Sequence, residues 1–386
     1  MTPRLTGVDA DRFLEEVWQQ RPLLIRDPWH SWANPLEPDE LAGLACEAGV
    51  ESRLIRSAGA GGLMLEHGPF APERFAQLGT SPWTLLVQAV DHHVPAVAAL
   101  LDAFRFIPNW RVDDVMVSYA TDGGGVGAHF DQYDVFLVQG LGRRRWRVGA
   151  RCDDGTPLLP HDDLRLLAEF APLDEWVLEP GDILYVPPGF AHDGVAVGDD
   201  CMTYSIGFRA PSRSELVQGF SDHVLDHLSE DDRYTDAGLV GQANPGEISA
   251  TALARLHAMI REGMDDADGF ARWFGQFSTA PKSDQIDWAP EEPFAADDLA
   301  ALAASGAPLE RNPASRFSYV SGQGGAVTLF VDGAPYDCIG AAARFAVQLC
   351  AASVTALEPE WLADSAAAEL ILRLLNRGSI GFNGED

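Results

Sequence analysis

Between residues 113 and 209, apolar and polar positions alternate in short runs broken by Gly, Pro and Asp. The runs at 115–119, 135–138, 146–148, 176–178, 183–186 and 202–208 are rich in β-branched and aromatic residues. Such residues fit a pleated, half-buried surface, and positions two apart share a face. Several short strands at close spacing, with turn chemistry between them, predict an antiparallel barrel or sandwich. The flanks read differently. Residues 13–18 carry apolar positions at helical spacing, and 22–25 read as a strand behind them. Residues 51–110 read as turns with one helix, and 84–89 stay open between strand and helix. Beyond Pro211, residues 214–228 and 249–277 read as amphipathic helices. The last part reads as helices at 297–303, 341–350 and 365–376 with strands at 317–320 and 327–331, a winged-helix-like order. The fold class is α+β, in three units: 1–210, 211–295 and 296–386.

Composition narrows the function classes. The 386 residues are 46% hydrophobic and 22% charged, as expected of a soluble globular protein with a sizeable core. Five cysteines show no paired spacing, which predicts free thiols in a reducing compartment. The first residues lack a basic-then-apolar region, and no apolar run reaches the roughly 18 residues of a membrane span. A cytoplasmic protein with no membrane partner is expected. A net charge of −31 argues against broad nucleic-acid contact and fits a basic protein partner. Solubility alone is the plainer explanation of that charge. In the last unit the acids outnumber Arg311, Arg316, Arg344, Arg373 and Arg377, so DNA-groove binding is not expected there.

The candidate chemistry centres on His129-Phe130-Asp131 and on His192, 61 residues beyond the aspartate. On a strand, His129 and Asp131 project to the same side. Two imidazoles and one carboxylate can hold Fe(II) on one face and leave the opposite face open. Zinc is compatible with the same count. A surface strand pair and a turn histidine are the bland readings of the same residues. The Gly123–Gly127 stretch is too glycine-rich for a strand interior and reads as the turn that delivers His129. An acid co-substrate on such a metal needs a cation. The run Arg143-Arg144-Arg145-Trp146-Arg147 puts Arg144, Trp146 and Val148 on one face, with Arg144 as candidate clamp; a solvated basic strand is the alternative. Asp114, Met116, Ser118 and Ala120 also share a face, unusually polar for a core. If it points into the barrel, Asp114 can pair with a cationic substrate, Met116 can pack its methylenes and Ser118 can help hold the acid co-substrate. Tyr133 continues the His129 and Asp131 face as an aromatic wall, and Ser205 is a weaker substrate contact.

These stretches resemble a known family. Gly-Gly-Gly-Val-Gly-Ala-His129-Phe-Asp131-Gln-Tyr-Asp-Val-Phe, then Gly-Arg-Arg-Arg-Trp-Arg-Val, then Glu-Pro-Gly-Asp-Ile-Leu-Tyr-Val-Pro-Pro-Gly-Phe-Ala-His192, are similar to the bacterial ribosomal oxygenases of the JmjC type. The likeness is dense over 113–210 and extends through Phe13–Arg26 and the helical-then-winged-helix order. It implies a double-stranded β-helix (cupin-like) barrel, a helical dimerisation region, hence a homodimer, and a C-terminal winged-helix-like domain. It implies His129, Asp131 and His192 as Fe(II) ligands, Arg144 as the 2-oxoglutarate clamp, and dioxygen as second co-substrate. It implies hydroxylation of an arginine β-carbon in large-subunit ribosomal protein sixteen, with Asp114, Met116 and Tyr133 lining the arginine pocket. A histidine-hydroxylating branch, a non-catalytic ribosome-assembly binder and a zinc hydrolase are the competing readings. Ala120 stands where a serine assisting the co-substrate is expected, and Ser118 is the candidate to take its place.

Overall fold

The computed structural model describes residues 5–59, 62–161, 164–283 and 285–382. Its N-terminal half is built on two strands far longer than the sequence runs predicted. The large sheet contains β1 (Leu23–Ile25), β2 (Ser52–Gly59), β3 (Gly62–His67), β4 (Trp83–Val87), β5 (Val112–Ala120), β6 (Asp134–Arg151), β7 (Pro172–Leu178), β8 (Ile183–Val186) and β9 (Phe190–Phe208). The order is β1-β8-β6-β9-β5-β4-β2-β3, with β7 also on β6. β6 and β9 run antiparallel from Asp134↔Phe208 to Arg151↔Phe190, whereas strands usually hold about 5–6 residues. Their register shifts near Gln139, Leu141 and Val148. Gly142 (φ 57) and Gly198 (φ 82) take left-handed backbone at the bend.

The runs at 135–138 and 146–148 are therefore one strand, and the last run begins at Phe190 rather than at 202. Glycine punctuation marks a turn and a bulged bend alike; only the partner strand distinguishes them. The 51–110 stretch differs too: it supplies β2, β3 and β4, and 84–89 resolves to strand. Its β3 lies at the sheet edge, where alternation between buried and exposed positions is weak, and β2 beside it buries the consecutive Leu54 and Ile55. Bending the sheet along β6 and β9 makes the double-stranded β-helix that the resemblance implied.

One face of the sheet packs on the N-terminal helix Ala10–Glu16, whose first turn is capped by Asp9 accepting from the Arg12 N–H at 3.1 Å. Phe13 meets Tyr185 with ring centroids 5.1 Å apart, and Phe104 meets Phe136 at 4.6 Å. The aromatic core encloses an ion pair, Asp134 with Arg111. Asp134, fully buried, accepts from the Tyr185 hydroxyl at 2.6 Å, Arg111 Nη2 at 2.8 Å and Gln19 Nε2 at 2.9 Å. It ties the start of β6 to the N-terminal segment and to the entry of β5.

Beyond the barrel come the helices Arg213–Leu225, Ala250–Met264 and Ala267–Thr279. The expected helix at 249–277 is thus two, parted where Asp266 turns back to accept from the Gly269 N–H at 2.9 Å. The last of them lies on a three-stranded sheet of β11 (Phe317–Ser321), β12 (Val327–Val331) and β13 (Ala334–Cys338), which follows β10 (Leu309–Arg311). A Cβ added at Gly275 would meet the Phe330 ring at 2.3 Å, so the glycine is what lets helix and sheet close. The helix Gly340–Ala351 covers the other side of this sheet, and Ser365–Asn376 packs on that helix to complete the apolar core. Among the described residues no helix is long and apolar enough to cross a membrane.

Asp134→Ala would leave the Arg111 guanidinium buried without its counter-ion. Breaking such a pair costs about 3–5 kcal/mol. Urea unfolding of the variant is expected to show a loss of that size, and an unchanged midpoint would contradict the role given to Asp134.

Candidate metal centre and its pocket

His129 and His192 meet across a short antiparallel bridge. The His129 N–H donates to the His192 carbonyl at 3.0 Å, and the His192 N–H returns to the His129 carbonyl at 2.8 Å. A pair that exchanges both bonds projects its side chains to one face. The imidazole centroids lie 4.3 Å apart. Asp131 is held by its own backbone: its carbonyl accepts the Gly189 N–H at 2.7 Å, with Gly189 turned to φ 82. The expected strand through His129 and Asp131 is absent. His129 forms only the bridge and Asp131 lies in irregular backbone, because the glycine-rich approach and the Gly189 contact pull the segment off the ladder. His192 lies inside β9, opposite Val148, rather than in a turn.

The three side chains nevertheless converge. Asp131 Oδ2 is 3.5 Å from His192 Nε2 and 3.8 Å from His129 Nε2. All candidate ligand atoms of the trio lie within 4.8 Å of one another. Nδ1 of His129 faces the Gly127 carbonyl at 2.8 Å, and Nδ1 of His192 faces the Phe190 carbonyl at 3.0 Å. A carbonyl can only accept, so each Nδ1 carries a proton, which leaves Nε2 as the nitrogen available to a ligand. Burial, then the neighbouring His129, pulls His192 down to about 4, so its imidazole is neutral and ready to ligate across the physiological range. Two nitrogens and one carboxylate oxygen on one side of a cavity form a donor set that fits a facial metal site.

Arg144 lies deeper on the same barrel. As its alternation predicted, Arg144, Trp146 and Val148 are buried, while Arg143 is exposed. Arg144 Nη1 donates to the Gly194 carbonyl at a long 3.4 Å, and its Nε and Nη2 have no acceptor. The guanidinium lies 5.8 Å from the Trp146 ring centroid, and Trp146 lies 5.9 Å from His192. A buried cation with two unmatched donors is costly unless an anion completes it. A carboxylate of the size of 2-oxoglutarate's fits that need bidentately.

The remaining candidates surround this pair unevenly. Asp114 and Ser118 are buried, not solvent-facing. Met116 and Ser205 are register partners on β5 and β9. Tyr133 is 42% exposed, and burial, then the charge of nearby Asp131, pushes its hydroxyl well above the usual tyrosine range. Ser118 Oγ turns to the Thr203 carbonyl at 3.4 Å, and no described hydrogen bond joins it to Arg144. Sequence reading passed over Thr84 and the Trp146 indole. Thr84 Oγ1 and Trp146 Nε1 are both buried with no partner. Thr84 is the register partner of Ala120, the position where the resemblance called for a serine. Only the pairing of β4 with β5 reveals this, since β4 itself was ambiguous. His223 and His227 have ring centroids 4.5 Å apart on a helix, but among the described residues only His129, Asp131 and His192 form a three-ligand group.

A barrel of this topology with this donor set and a buried arginine defines a metal-dependent oxygenase of the JmjC class. Family models agree: a JmjC domain matches residues 99–216, and a ROXA-like winged helix matches 262–380. The chain is 43% identical over 287 residues to the ribosomal protein uL16 3-hydroxylase of Escherichia coli, covering 74% of this chain and 76% of that protein. It is 42% identical over 216 residues to a probable ribosomal oxygenase of Haemophilus influenzae, covering 55% and 53%. Among solved structures, E. coli YcfD superposes with a TM-score of 0.88 at 36% identity, over 99% of this chain and 100% of that one. YcfD in complex with cobalt and 2-oxoglutarate gives 0.86 at 36% identity, again over 99% and 100%. The chain belongs to the JmjC-domain ribosomal oxygenases.

Two binding measurements check the site without turnover. His129→Ala is expected to abolish the binding of Co(II) to the purified protein in calorimetric titration. A charge-assisted hydrogen bond contributes about 1.5–3 kcal/mol, so Arg144→Ala should weaken 2-oxoglutarate binding to the metal-loaded protein by about 10–100-fold. Arg144→Lys should recover part of it, the bidentate fork being lost. Unaltered affinities would remove these residues from the site.

Proposed function

We propose that the protein hydroxylates an arginine side chain, at its β-carbon, of large-subunit ribosomal protein sixteen (uL16), using Fe(II), 2-oxoglutarate and dioxygen. His129, Asp131 and His192 hold the metal, and Arg144 holds the far carboxylate of 2-oxoglutarate, with Ser118 beside it. Asp114, Met116, Tyr133 and Ser205 receive the substrate side chain. The observation that carries the reading is the combination of three converging ligands with an unpaired, buried Arg144. The bound metal and co-substrate supply oxidative decarboxylation of 2-oxoglutarate to succinate and carbon dioxide, which activates dioxygen for insertion of one oxygen into a C–H bond. The chain supplies aim and shelter. The imidazoles present Nε2, Trp146 and the β6–β9 walls exclude water, and Tyr133 stands near Asp131. Asp114 favours arginine over histidine as the target, because a buried acid discriminates by charge.

The unit 1–210 carries catalysis, 211–295 dimerisation, and 296–386 the winged-helix-like fold. The helices Arg213–Leu225 and Ala250–Met264 leave Val217, Leu225, Leu253 and Ile260 more than half exposed, an apolar face that a second copy would cover. The acidic chain, at −31, favours a basic protein target over nucleic acid and suits a cytoplasmic enzyme that meets ribosomal proteins.

Intact-mass spectra of recombinant uL16 incubated with the enzyme, Fe(II) and 2-oxoglutarate are expected to gain about 16 Da, the mass of one oxygen atom. Tandem spectra should place it on an arginine, and Asp114→Ala should lose most of the gain. A modified histidine, or no gain, would replace this target. Light scattering is expected to give twice the chain mass, falling towards one chain mass in Val217→Glu/Ile260→Glu; a wild-type monomer would reject the dimer.

A further inference from the structure

Asp113 and Asp114 enter β5 side by side, and their carboxylates are held in different ways. Asp113 gathers three cations: Arg316 Nη2 at 3.0 Å, Lys282 Nζ at 3.1 Å and Arg209 Nε at 3.2 Å. Asp114, on the barrel face, receives three donors on one oxygen. Its Oδ2 accepts Gln88 Nε2 at 2.7 Å and the Ala89 N–H at 2.9 Å, and it pairs with Lys282 Nζ at 2.8 Å. Ala89 delivers that N–H from φ 52, a left-handed backbone that a residue other than glycine adopts at a cost. The other oxygen is open. No described donor reaches Oδ1, and a Cβ placed on Gly207 would lie 3.9 Å from it, so that side is uncrowded.

Lys282 comes from outside the barrel. It stands three residues past the helix Ala267–Thr279, on the stretch leading into the C-terminal unit. Burial works against its charge, and Asp114 and Asp113 outweigh burial, so the ammonium stays protonated. The same network includes Arg316 at the threshold of β11, which also donates to the Asp113 carbonyl at 3.1 Å. The seat of the C-terminal unit and the acid of the substrate pocket thus share one set of ion pairs.

We infer that Lys282 is a positioning residue for substrate recognition: reaching across the unit boundary, it locks Asp114 through Oδ2 so that Oδ1 alone meets the substrate's guanidinium. The inference rests on the role given to Asp114 under the proposed function. A carboxylate free to rotate presents either oxygen and must be ordered when the substrate arrives. Three donors on one oxygen complete that ordering beforehand, and preorganisation of this kind appears in affinity. The helical region then contributes to the pocket through Lys282, while Arg316 of the C-terminal unit braces the neighbouring Asp113.

The test is steady-state hydroxylation of recombinant uL16 by three variants. Lys282→Met keeps the length and removes the charge; it is expected to raise KM about tenfold and to change kcat less than about twofold, the split that marks lost ground-state orientation. Lys282→Arg, which restores the cation, should recover most of the loss. Gln88→Leu removes another donor from the same oxygen and should shift KM in the same direction, which keeps the inference open to refutation should Lys282→Met not fold. An unchanged KM in Lys282→Met overturns the inference, and so does a lowered one, which would make the lysine a competitor of the substrate. Asp114→Ala, run alongside, separates the two levels. If it loses hydroxylation while Lys282→Met and Gln88→Leu leave KM alone, only the role of Lys282 fails. If it hydroxylates normally, the pocket reading fails and takes this inference with it.

Discussion

The site depends on one reciprocal pair of backbone hydrogen bonds. His129 and His192 exchange N–H and C=O groups, and this places two imidazoles, 63 positions apart in the chain, side by side with ring centroids 4.3 Å apart. Neither side chain contributes to that arrangement. It follows from β9 having β6 on one side and the 125–129 segment on the other, joined at the bridges Gly125↔Val195 and His129↔His192. Asp131 is then brought in by the Gly189 N–H, so the turn before β9 and the turn after His129 act on the same three ligands. Backbone bonds in a buried ladder are hard to deform, and that rigidity lets a site made from two distant segments hold its geometry.

Charge in this protein is distributed against its overall balance. The chain as a whole is strongly acidic, yet at the base of the barrel it buries a cation, Arg144, with two donors unmatched. Along the β5 edge it does the reverse, burying Asp114 and matching it on one oxygen. The trio of His129, Asp131 and His192 is joined to the first of these by Trp146, whose ring lies 5.9 Å from His192. The strained turn at Ala89 and the long Gly194 contact are local costs that the surrounding sheet sustains.

Much of this was legible in the residues. The strands at 183–186, 327–331 and the helix at 365–376 lie where the pattern put them, because each is a clean apolar run bounded by Gly, Pro or Asp. The Arg144, Trp146 and Val148 face was readable from alternation alone. What failed did so for a physical reason in each case. β6 and β9 were cut into pieces because a bulge and a turn use the same glycines. β2 and β3 were missed because β3 is a weakly buried edge strand and β2 buries two consecutive residues, Leu54 and Ile55, which breaks the alternation. The strand expected through His129 and Asp131 gave way to a bridge because the Gly123–Gly127 approach cannot sustain a ladder. Thr84, Gln88 and Lys282 left no trace, since each matters only through a partner that lies elsewhere in the chain.

By itself the chain determined the inventory: two imidazoles and a carboxylate, one arginine and one acid on inward faces, and the order of helices and strands. These are properties of residue type and of spacing within a segment, which periodicity reports directly. The tertiary structure alone decided which nitrogen of each imidazole is free, which oxygen of Asp114 is open, and that a lysine past the helical region reaches the barrel. Those outcomes are set by contacts between segments with no fixed spacing between them, so local pattern carries no information about them.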